Sequence, residues 1–280
     1  MPREEVHARV AGGELVGWRQ GSGPRVLLLH GGPGLSCDYL EDVVGELGAG
    51  YDVAWFQQRG LPPSVAEPPF TVATAVDDVV SFLDALGWDR AFVLGHSWGG
   101  HLLWHLLVST PERLDGGLAV DPLGGVGDGG NEVFEQAMNA RIPEENRVRA
   151  EELDRRAMAG EGTEDDVLES MRLYWPAYFA DPGDVPPMPP MRSSIAAYAG
   201  LWESLKEQLP ALEAALPAVD VPLGVVVCER SPIPADEAGV ATAAAIPGAW
   251  VERVEGAGHF PWYERPGAVR AALDRLTARG

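Results

Sequence analysis

The chain has 280 residues, 46% of them hydrophobic, and a formal net charge of −21 at pH 7. This length and apolar content fit one large globular domain, or a core with an inserted lobe. The negative charge argues against nucleic acids and anionic membrane surfaces as partners, because their phosphates would repel it. The composition does not identify a small ligand or an oligomeric state.

The amino terminus and the cysteines bear on the cellular compartment. No apolar run approaches the roughly 20 residues that span a bilayer. The first residues, Met1-Pro-Arg-Glu-Glu-Val6, lack the basic start and apolar stretch of a signal peptide. Cys37 and Cys228 are too few for a disulfide framework or a zinc cluster. We therefore expect a cytoplasmic protein with no bound metal.

Short apolar runs alternate with helical stretches along the chain. Strands are predicted at residues 25–30, 51–56, 90–94, 117–121, 222–228 and 249–254. One helix is predicted to begin after Thr71 as its N-cap and to end at Gly87, and another is predicted over residues 266–278. Alternation of this kind is typical of an α/β fold with a mostly parallel sheet covered on both faces by helices.

The composition changes after residue 123. A glycine-rich stretch is followed by charged, helix-forming sequence in which no strand is evident. We predict a helical segment over residues 124–216, inserted into a core formed by residues 1–123 and 217–280.

A serine lies on the predicted turn between a strand and a helix. The segment Gly95-His-Ser-Trp-Gly-Gly100 follows an apolar run and precedes an amphipathic one. Glycines flank Ser97 because a side chain at either place would collide with the strand or the helix in such a turn. The pattern predicts an exposed serine nucleophile.

A serine hydroxyl needs a base within hydrogen-bond distance, usually a histidine held by a carboxylate. His259 is the histidine downstream of Ser97 that lies in a loop just after a predicted strand, and we predict that it is the base. His96, His101 and His105 lie in or just after the turn. The spacing of His101 and His105 resembles that of a metal-binding pair, but no Glu lies between them, and we expect a packing role.

The reaction also requires donors for the oxyanion of a tetrahedral intermediate. His30-Gly-Gly-Pro-Gly34 follows a predicted strand and forms a tight glycine-proline loop. The backbone N–H groups of Gly32 and Trp98 are predicted to form a two-donor oxyanion hole beside Ser97.

Four motifs resemble those of the α/β-hydrolase superfamily: HGGPG (30–34), GHSWGG (95–100), LAVDP (118–122) and GHFPWYERP (258–266). The resemblance implies a hydrolase core with a helical cap, residues 124–216, and no cofactor. WFQQRG (55–60) is similar to the DQRG motif of the proline iminopeptidase branch, with Gln57 in place of the acidic residue. The cap is expected to cover a pocket lined by aromatic residues among Tyr174, Trp175, Tyr178, Phe179, Tyr198 and Trp202.

The sequence departs from the superfamily at the acid of the triad. Ser231 occupies the place where relatives carry an acidic residue, and serine cannot offset the charge of an imidazolium. Asp121 is the preferred substitute because it ends the strand after the turn helix, a position from which some lipases of the superfamily draw their acid. Glu229 is a second candidate, and a crippled triad is the third possibility.

We therefore predict a serine hydrolase that cleaves a small ester or an N-terminal amino acid amide through an acyl-enzyme, with a small molecule or a short peptide as the substrate. A proline iminopeptidase-type aminopeptidase would need carboxylates for the substrate ammonium group, for which the cap offers Glu169 and Glu203. Two alternatives suit a weakened triad: a non-hydrolytic enzyme of lyase or acyl-transfer type, and a ligand-binding protein that retains the hydrolase fold.

Overall fold

The computed structural model describes residues 3–279, which form an eight-stranded sheet. The strands are β1 (Glu4–Val10), β2 (Gly13–Gly21), β3 (Arg25–Leu29), β4 (Asp52–Phe56), β5 (Ala91–His96), β6 (Leu114–Val120), β7 (Leu223–Cys228) and β8 (Trp250–Val254). Their spatial order is β1-β2-β4-β3-β5-β6-β7-β8. Strand β2 pairs antiparallel with β1 and β4, and all other pairs are parallel. The predicted α/β class with a mostly parallel sheet is confirmed.

Ten α-helices connect and cover the strands in the described residues. They are α1 (Leu40–Leu47), α2 (Val72–Ala85), α3 (Trp98–Ser109), α4 (Asn131–Ala140), α5 (Glu144–Met158), α6 (Glu164–Tyr174), α7 (Ile195–Ala215), α8 (Ala241–Ala244), α9 (Pro261–Glu264) and α10 (Ala268–Thr277). The predicted N-cap of α2 is present, since the Thr71 side chain accepts a hydrogen bond from the Thr74 N–H at 3.1 Å. Over residues 3–279, none of the helices has the length and apolar character that crossing a bilayer requires.

The central strands are buried on both faces, which explains their continuous apolar sequences. In β3, Val26 and Leu28 pack in one cluster with residues of α1 and α10. Leu27 and Leu29 pack in a second cluster with residues of α2 and α3. Because successive side chains of a strand point to opposite faces, these clusters form two layers of core around the sheet.

The amino-terminal hairpin was not predicted. Strands β1 and β2 precede the first strand expected from the sequence, and they add an antiparallel edge to the sheet. Most residues of β1 are exposed or only half-buried, so the strand lacks the apolar run that identifies the buried strands. The sequence signal that could have revealed the hairpin is Gly12, because the turn between β1 and β2 has a φ of +86° at this residue, which favours glycine.

Helices α4 to α7 lie between β6 and β7 in the chain, within the predicted cap segment. This segment contacts the loop that follows β3. The Ser194 N–H donates to the Gly34 carbonyl at 2.7 Å, and the Ser36 N–H donates to the Arg192 carbonyl at 3.0 Å. These bonds hold the cap segment against the carboxyl ends of the strands, where the predicted nucleophile lies.

Candidate active site

Ser97 lies between the end of β5 and the first residue of α3. Its φ of 57° and ψ of −119° are unusual for a residue with a side chain and indicate local strain. A Cβ atom at Gly95 would lie 2.1 Å from the Gly99 oxygen, and one at Gly99 would lie 2.2 Å from the Leu29 oxygen. The two glycines therefore permit the close strand-to-helix turn that was predicted.

The environment of Ser97 differs from the prediction in one respect. The serine is half-buried rather than exposed. It lines a cavity of about 80 Å³ together with His259, and Met171, Trp175 and Tyr178 of the cap segment line the same cavity. The expectation of an exposed serine was wrong because the cap segment covers the turn. Of the six cap aromatics considered, Trp175 and Tyr178 line this cavity.

His259 and Asp121 form a buried pair beside Ser97. His259 Nδ1 lies 2.6 Å from Asp121 Oδ2, and the two side chains are 4% and 1% exposed. The second carboxylate oxygen of Asp121 accepts the Cys228 N–H at 3.0 Å. With its Nδ1 proton held by the carboxylate, the imidazole has its Nε2 atom free to accept a proton.

The backbone of Asp121 explains how β6 delivers a carboxylate to this position. Its N–H donates to the Val226 carbonyl at 2.7 Å, so the residue continues the pairing of β6 with β7. Its φ is 44°, a conformation that turns the chain sharply away from the sheet. The side chain consequently reaches across the end of β7 toward His259.

Ser231 contacts Asp121 rather than the imidazole. Its hydroxyl donates to Asp121 Oδ2 at 2.5 Å and accepts the Ile233 N–H at 3.1 Å. The two hydrogen bonds occupy the hydroxyl, and no hydrogen bond between Ser231 and His259 is present among the described residues. From its position in the sequence, Ser231 was expected only as a weak replacement for an acid, and its hydrogen bond to Asp121 was not predicted.

Glu229 points in another direction. Its Oε2 atom accepts the Gly256 N–H at 2.8 Å, and the residue is exposed. Between residues 3 and 279, Asp121 is the carboxylate that hydrogen-bonds His259. The geometry thus favours Asp121 over Glu229 as the acid.

The loop after β3 carries the predicted oxyanion donor. His30 Nδ1 donates to the Gly31 carbonyl at 2.9 Å, and His30 Nε2 accepts the Gln58 N–H at 3.2 Å. In a trans peptide the carbonyl and the following N–H point in opposite directions. The Gly32 N–H is therefore directed away from His30.

Two features of this loop favour a role in binding the oxyanion. A Cβ atom at Gly31 would lie 2.8 Å from the Ser97 Cβ atom, which places the loop directly against the serine. The N–H groups of Gly32 and Trp98 have no hydrogen-bond partner within residues 3–279. Both donors remain available for a charge that develops beside Ser97.

The residues that follow β4 support the same loop. Gln57, which replaces the acidic residue of the iminopeptidase motif, accepts the Cys37 N–H at 3.0 Å and donates to the Leu35 carbonyl at 3.2 Å. Gln58 donates to the His30 carbonyl at 3.1 Å and accepts the Trp98 Nε1–H at 2.9 Å. Gln57 and Gln58 therefore stabilise the glycine loop and the start of α3.

His96 links the loop of the predicted base to the glycine loop. Its Nε2 donates to the His259 carbonyl at 2.9 Å, and its Nδ1 accepts the Tyr39 hydroxyl proton at 2.9 Å. The Tyr39 oxygen in turn accepts the Gly31 N–H. Burial holds the pKa of His96 well below its usual value, so the residue acts as a neutral connector.

His101 and His105 are buried in α3. The His101 Nδ1 donates to the Gly124 carbonyl at 3.0 Å, and the Nε2 atoms of the two histidines are 3.2 Å apart. Throughout residues 3–279 there is no cluster of three or more side chains suited to a metal ion. Their contacts agree with a packing role.

The buried histidines lead to a prediction about acid stability. Burial lowers the pKa of His30 and His105 to about 4 and that of His101 to about 3. Between pH 6.5 and about pH 4 the unfolded chain binds protons at these residues and the folded chain does not, so stability decreases as the pH is lowered. We expect urea unfolding to show a loss of roughly 1 kcal/mol or more per buried histidine between pH 7.5 and pH 5.

The substitution His105→Gln should reduce this loss, while His7→Gln should leave it nearly unchanged. His7 is exposed on β1, and hydrogen bonding to Glu5 raises its pKa. Equal pH dependence in the wild type and the His105→Gln variant would contradict the assignment.

Comparison with known proteins identifies the fold independently. A family model described as the alpha/beta hydrolase family matches residues 26–272. Over 99 residues the chain is 35% identical to Epoxide hydrolase 2 of Siraitia grosvenorii, covering 34% of this chain and 31% of that protein. The chain thus spans about a third of the length of the curated relatives that it first matches.

Two solved structures illustrate the likeness over the whole chain. Proline iminopeptidase of Mycobacterium smegmatis has a TM-score of 0.68 and 22% identity, covering 99% of this chain and 98% of that one. A thermophilic esterase of Thermogutta terrifontis has a TM-score of 0.66 and 23% identity, covering 100% of this chain and 99% of that one. Because the identities are low, these similarities establish the fold and not the substrate.

Proposed function

The chain belongs to the alpha/beta hydrolase family, and from this premise we propose that it is a serine hydrolase that cleaves small, uncharged esters. Ser97 is the nucleophile, His259 the general base and acid, and Asp121 the residue that orients His259 and offsets its charge. The N–H groups of Gly32 and Trp98 form the oxyanion hole. The substrate is a small molecule, and the location is expected to be cytoplasmic.

The reaction proceeds in two halves. Ser97 Oγ attacks the ester carbonyl while His259 Nε2 takes the hydroxyl proton, and the carbonyl oxygen becomes an oxyanion held by the two N–H groups. The carbon–oxygen bond to the alcohol then breaks, and His259 returns the proton to that alcohol. Water subsequently attacks the acyl-enzyme by the same steps, releasing a carboxylic acid and restoring Ser97.

One observation carries this proposal. The imidazole and the carboxylate lie 2.6 Å apart beside a serine in a strained turn, and serine and imidazole line one cavity. A crippled triad was considered because Ser231 occupies the usual place of the acid. The hydrogen bond between Asp121 and His259 supports Asp121 in the role of the triad acid. It therefore favours an enzyme over a protein that only binds a ligand.

The lining of the cavity favours esters over N-terminal amino acid amides. Within the described residues, no carboxylate, lysine or arginine lines the cavity. Glu169 forms an ion pair with Arg149 and is 45% exposed, and Glu203 is exposed. A substrate ammonium group would lose its hydration in the cavity without gaining a carboxylate partner among these lining residues, which is costly for a charge.

A side-by-side substrate screen tests this choice. We expect 4-nitrophenyl acetate and butyrate to be hydrolysed with a higher kcat/KM than prolyl and alanyl 4-nitroanilides. The small cavity leads us to expect a fall in kcat/KM for the octanoate ester. Ser97→Ala protein serves as the background control. Faster turnover of the prolyl anilide than of every ester would contradict the proposal and favour an iminopeptidase.

A further inference from the structure

Arg141 connects the cap segment to the loop after β7, which contains Ser231, a hydrogen-bond donor to Asp121. The residue follows α4, and its side chain is half-buried. Its Nη1 atom donates to the Ala177 carbonyl at 3.0 Å and to the Arg230 carbonyl at 2.6 Å, while Nη2 donates to the Ser231 carbonyl at 3.2 Å. One guanidinium therefore connects the cap segment to two consecutive carbonyls beyond the end of β7.

The loop that Arg141 contacts carries a direct donor to Asp121. Ser231 Oγ lies 2.5 Å from the same carboxylate oxygen that accepts the His259 proton. The Ser231 N–H is bonded to the Cys228 carbonyl at 3.2 Å, so the backbone on both sides of its side chain is held. Movement of this backbone would displace the hydroxyl and leave a buried carboxylate oxygen short of one donor.

The cap segment also contacts the loop of the base directly. The His259 N–H donates to the Tyr178 carbonyl at 2.7 Å. A Cβ atom at Gly258 would lie 2.4 Å from that carbonyl oxygen, which shows how closely the two backbones approach. Glu264 accepts the Ala180 N–H at 2.9 Å and the Gly258 N–H at 2.6 Å. Residues 177–180 are therefore bonded both to Arg141 and to the His259 loop.

We propose that Arg141 and Ser231 are positioning residues through which the cap segment fixes the carboxylate of Asp121 against His259. The inference rests on the proposed serine hydrolase function. It assigns the cap a part in holding the acid–base pair, in addition to its part in covering the cavity. Neither residue touches the reacting atoms of a substrate.

The charges around Asp121 make this arrangement measurable in the pH dependence of activity. Burial lowers the pKa of Arg141, and the negative charge of Asp121 opposes that shift, so the two groups interact. Among the described residues, the other titratable groups near His259 and its carboxylate are His96 at the end of β5, Tyr178 on the cap segment, Tyr263 and Glu264 on α9, and Cys228 on β7. Removing the guanidinium, or the Ser231 hydroxyl, leaves Asp121 better able to stabilise a protonated imidazole.

The first test compares Arg141→Met with Arg149→Met on the best ester. Arg149 is a cap arginine in an exposed ion pair, so its loss should have little effect. For Arg141→Met we expect kcat to fall roughly tenfold with KM within about twofold, because the Asp121–His259 pair stays hydrogen-bonded but is held less rigidly in its productive geometry, while the cavity remains. The midpoint of the acidic limb of the kcat/KM profile should rise by roughly half a pH unit. Arg141→Lys should recover little, since one ammonium cannot reach three carbonyls in fork geometry.

The second test is independent of the cap arginine. Ser231→Ala should move the acidic limb in the same direction as Arg141→Met, whereas Ser231→Thr, which retains the hydroxyl, should keep it near the wild-type position. Urea unfolding of each variant identifies a folded protein before kinetics are compared. If Arg141→Met does not fold, the Ser231 pair still tests the proposal.

The outcomes separate this inference from the proposed function. A wild-type protein without esterase activity and without a reactive Ser97 would contradict the proposed function itself. An active wild type, with Arg141→Met and Ser231→Ala matching Arg149→Met in kcat and in the acidic limb, would overturn the positioning role and leave the function intact.

Discussion

Asp121→Asn protein is expected to lose about four orders of magnitude in kcat, the effect of the corresponding change in a working triad. The carboxylate receives donors from the Cys228 N–H, the Ser231 hydroxyl and His259 Nδ1. An amide presents one acceptor oxygen and one donor group, so at least one of these donors would face an NH₂ group. The imidazole would then lose the tautomer and orientation that leave Nε2 free.

The measurement is kcat on a short acyl ester, with Asp115→Asn as the matched control. Asp115 lies on the same strand, β6, in an exposed ion pair with Arg90. A companion variant, Ser231→Asp, separates the two accounts of the acid. If Asp121 serves His259, a second carboxylate beside it should bring no gain and should destabilise the buried site. A tenfold rise in Ser231→Asp, with Asp121→Asn unchanged, would show that the triad is crippled.

Ser97→Ala protein is expected to lose about six orders of magnitude in kcat, as when the serine of a comparable triad is removed. Ser97 Oγ has no hydrogen-bond partner among residues 3–279, so the fold should not depend on it. Urea unfolding should therefore give a free energy close to that of the wild type. Ser81→Ala, at a half-buried position of α2, provides the matched control. Retained ester turnover in Ser97→Ala protein would contradict the serine mechanism.

Much of the fold was predictable because burial on both faces leaves a clear sequence signal. The apolar runs of β3, β5 and β7 and the capped helix α2 were identified from their residues, and the structure agrees. The hairpin of β1 and β2 was missed because its residues are largely exposed and its stability comes from pairing at the sheet edge. Such pairing depends on tertiary contacts rather than on local composition.

The candidate site was predictable where residue type and strand end coincide. Ser97, Asp121 and His259 each follow a strand, and the ends of parallel strands lie along one edge of the sheet. The contacts of Ser231 and Arg141 were not predictable, because they join residues 110 and 90 positions apart. A loop serine and a cap arginine carry no periodicity or motif that would reveal such contacts.

Mass spectrometry of the protein after treatment with a serine-directed fluorophosphonate tests the central claim most directly. The reagent forms a covalent bond only with a hydroxyl that a neighbouring base activates, so the measurement does not depend on the natural substrate. The account predicts one adduct, on the peptide that contains Ser97, with little labelling of Asp121→Asn protein and none of Ser97→Ala protein. An unlabelled wild type, or an adduct on a residue other than Ser97, would contradict it.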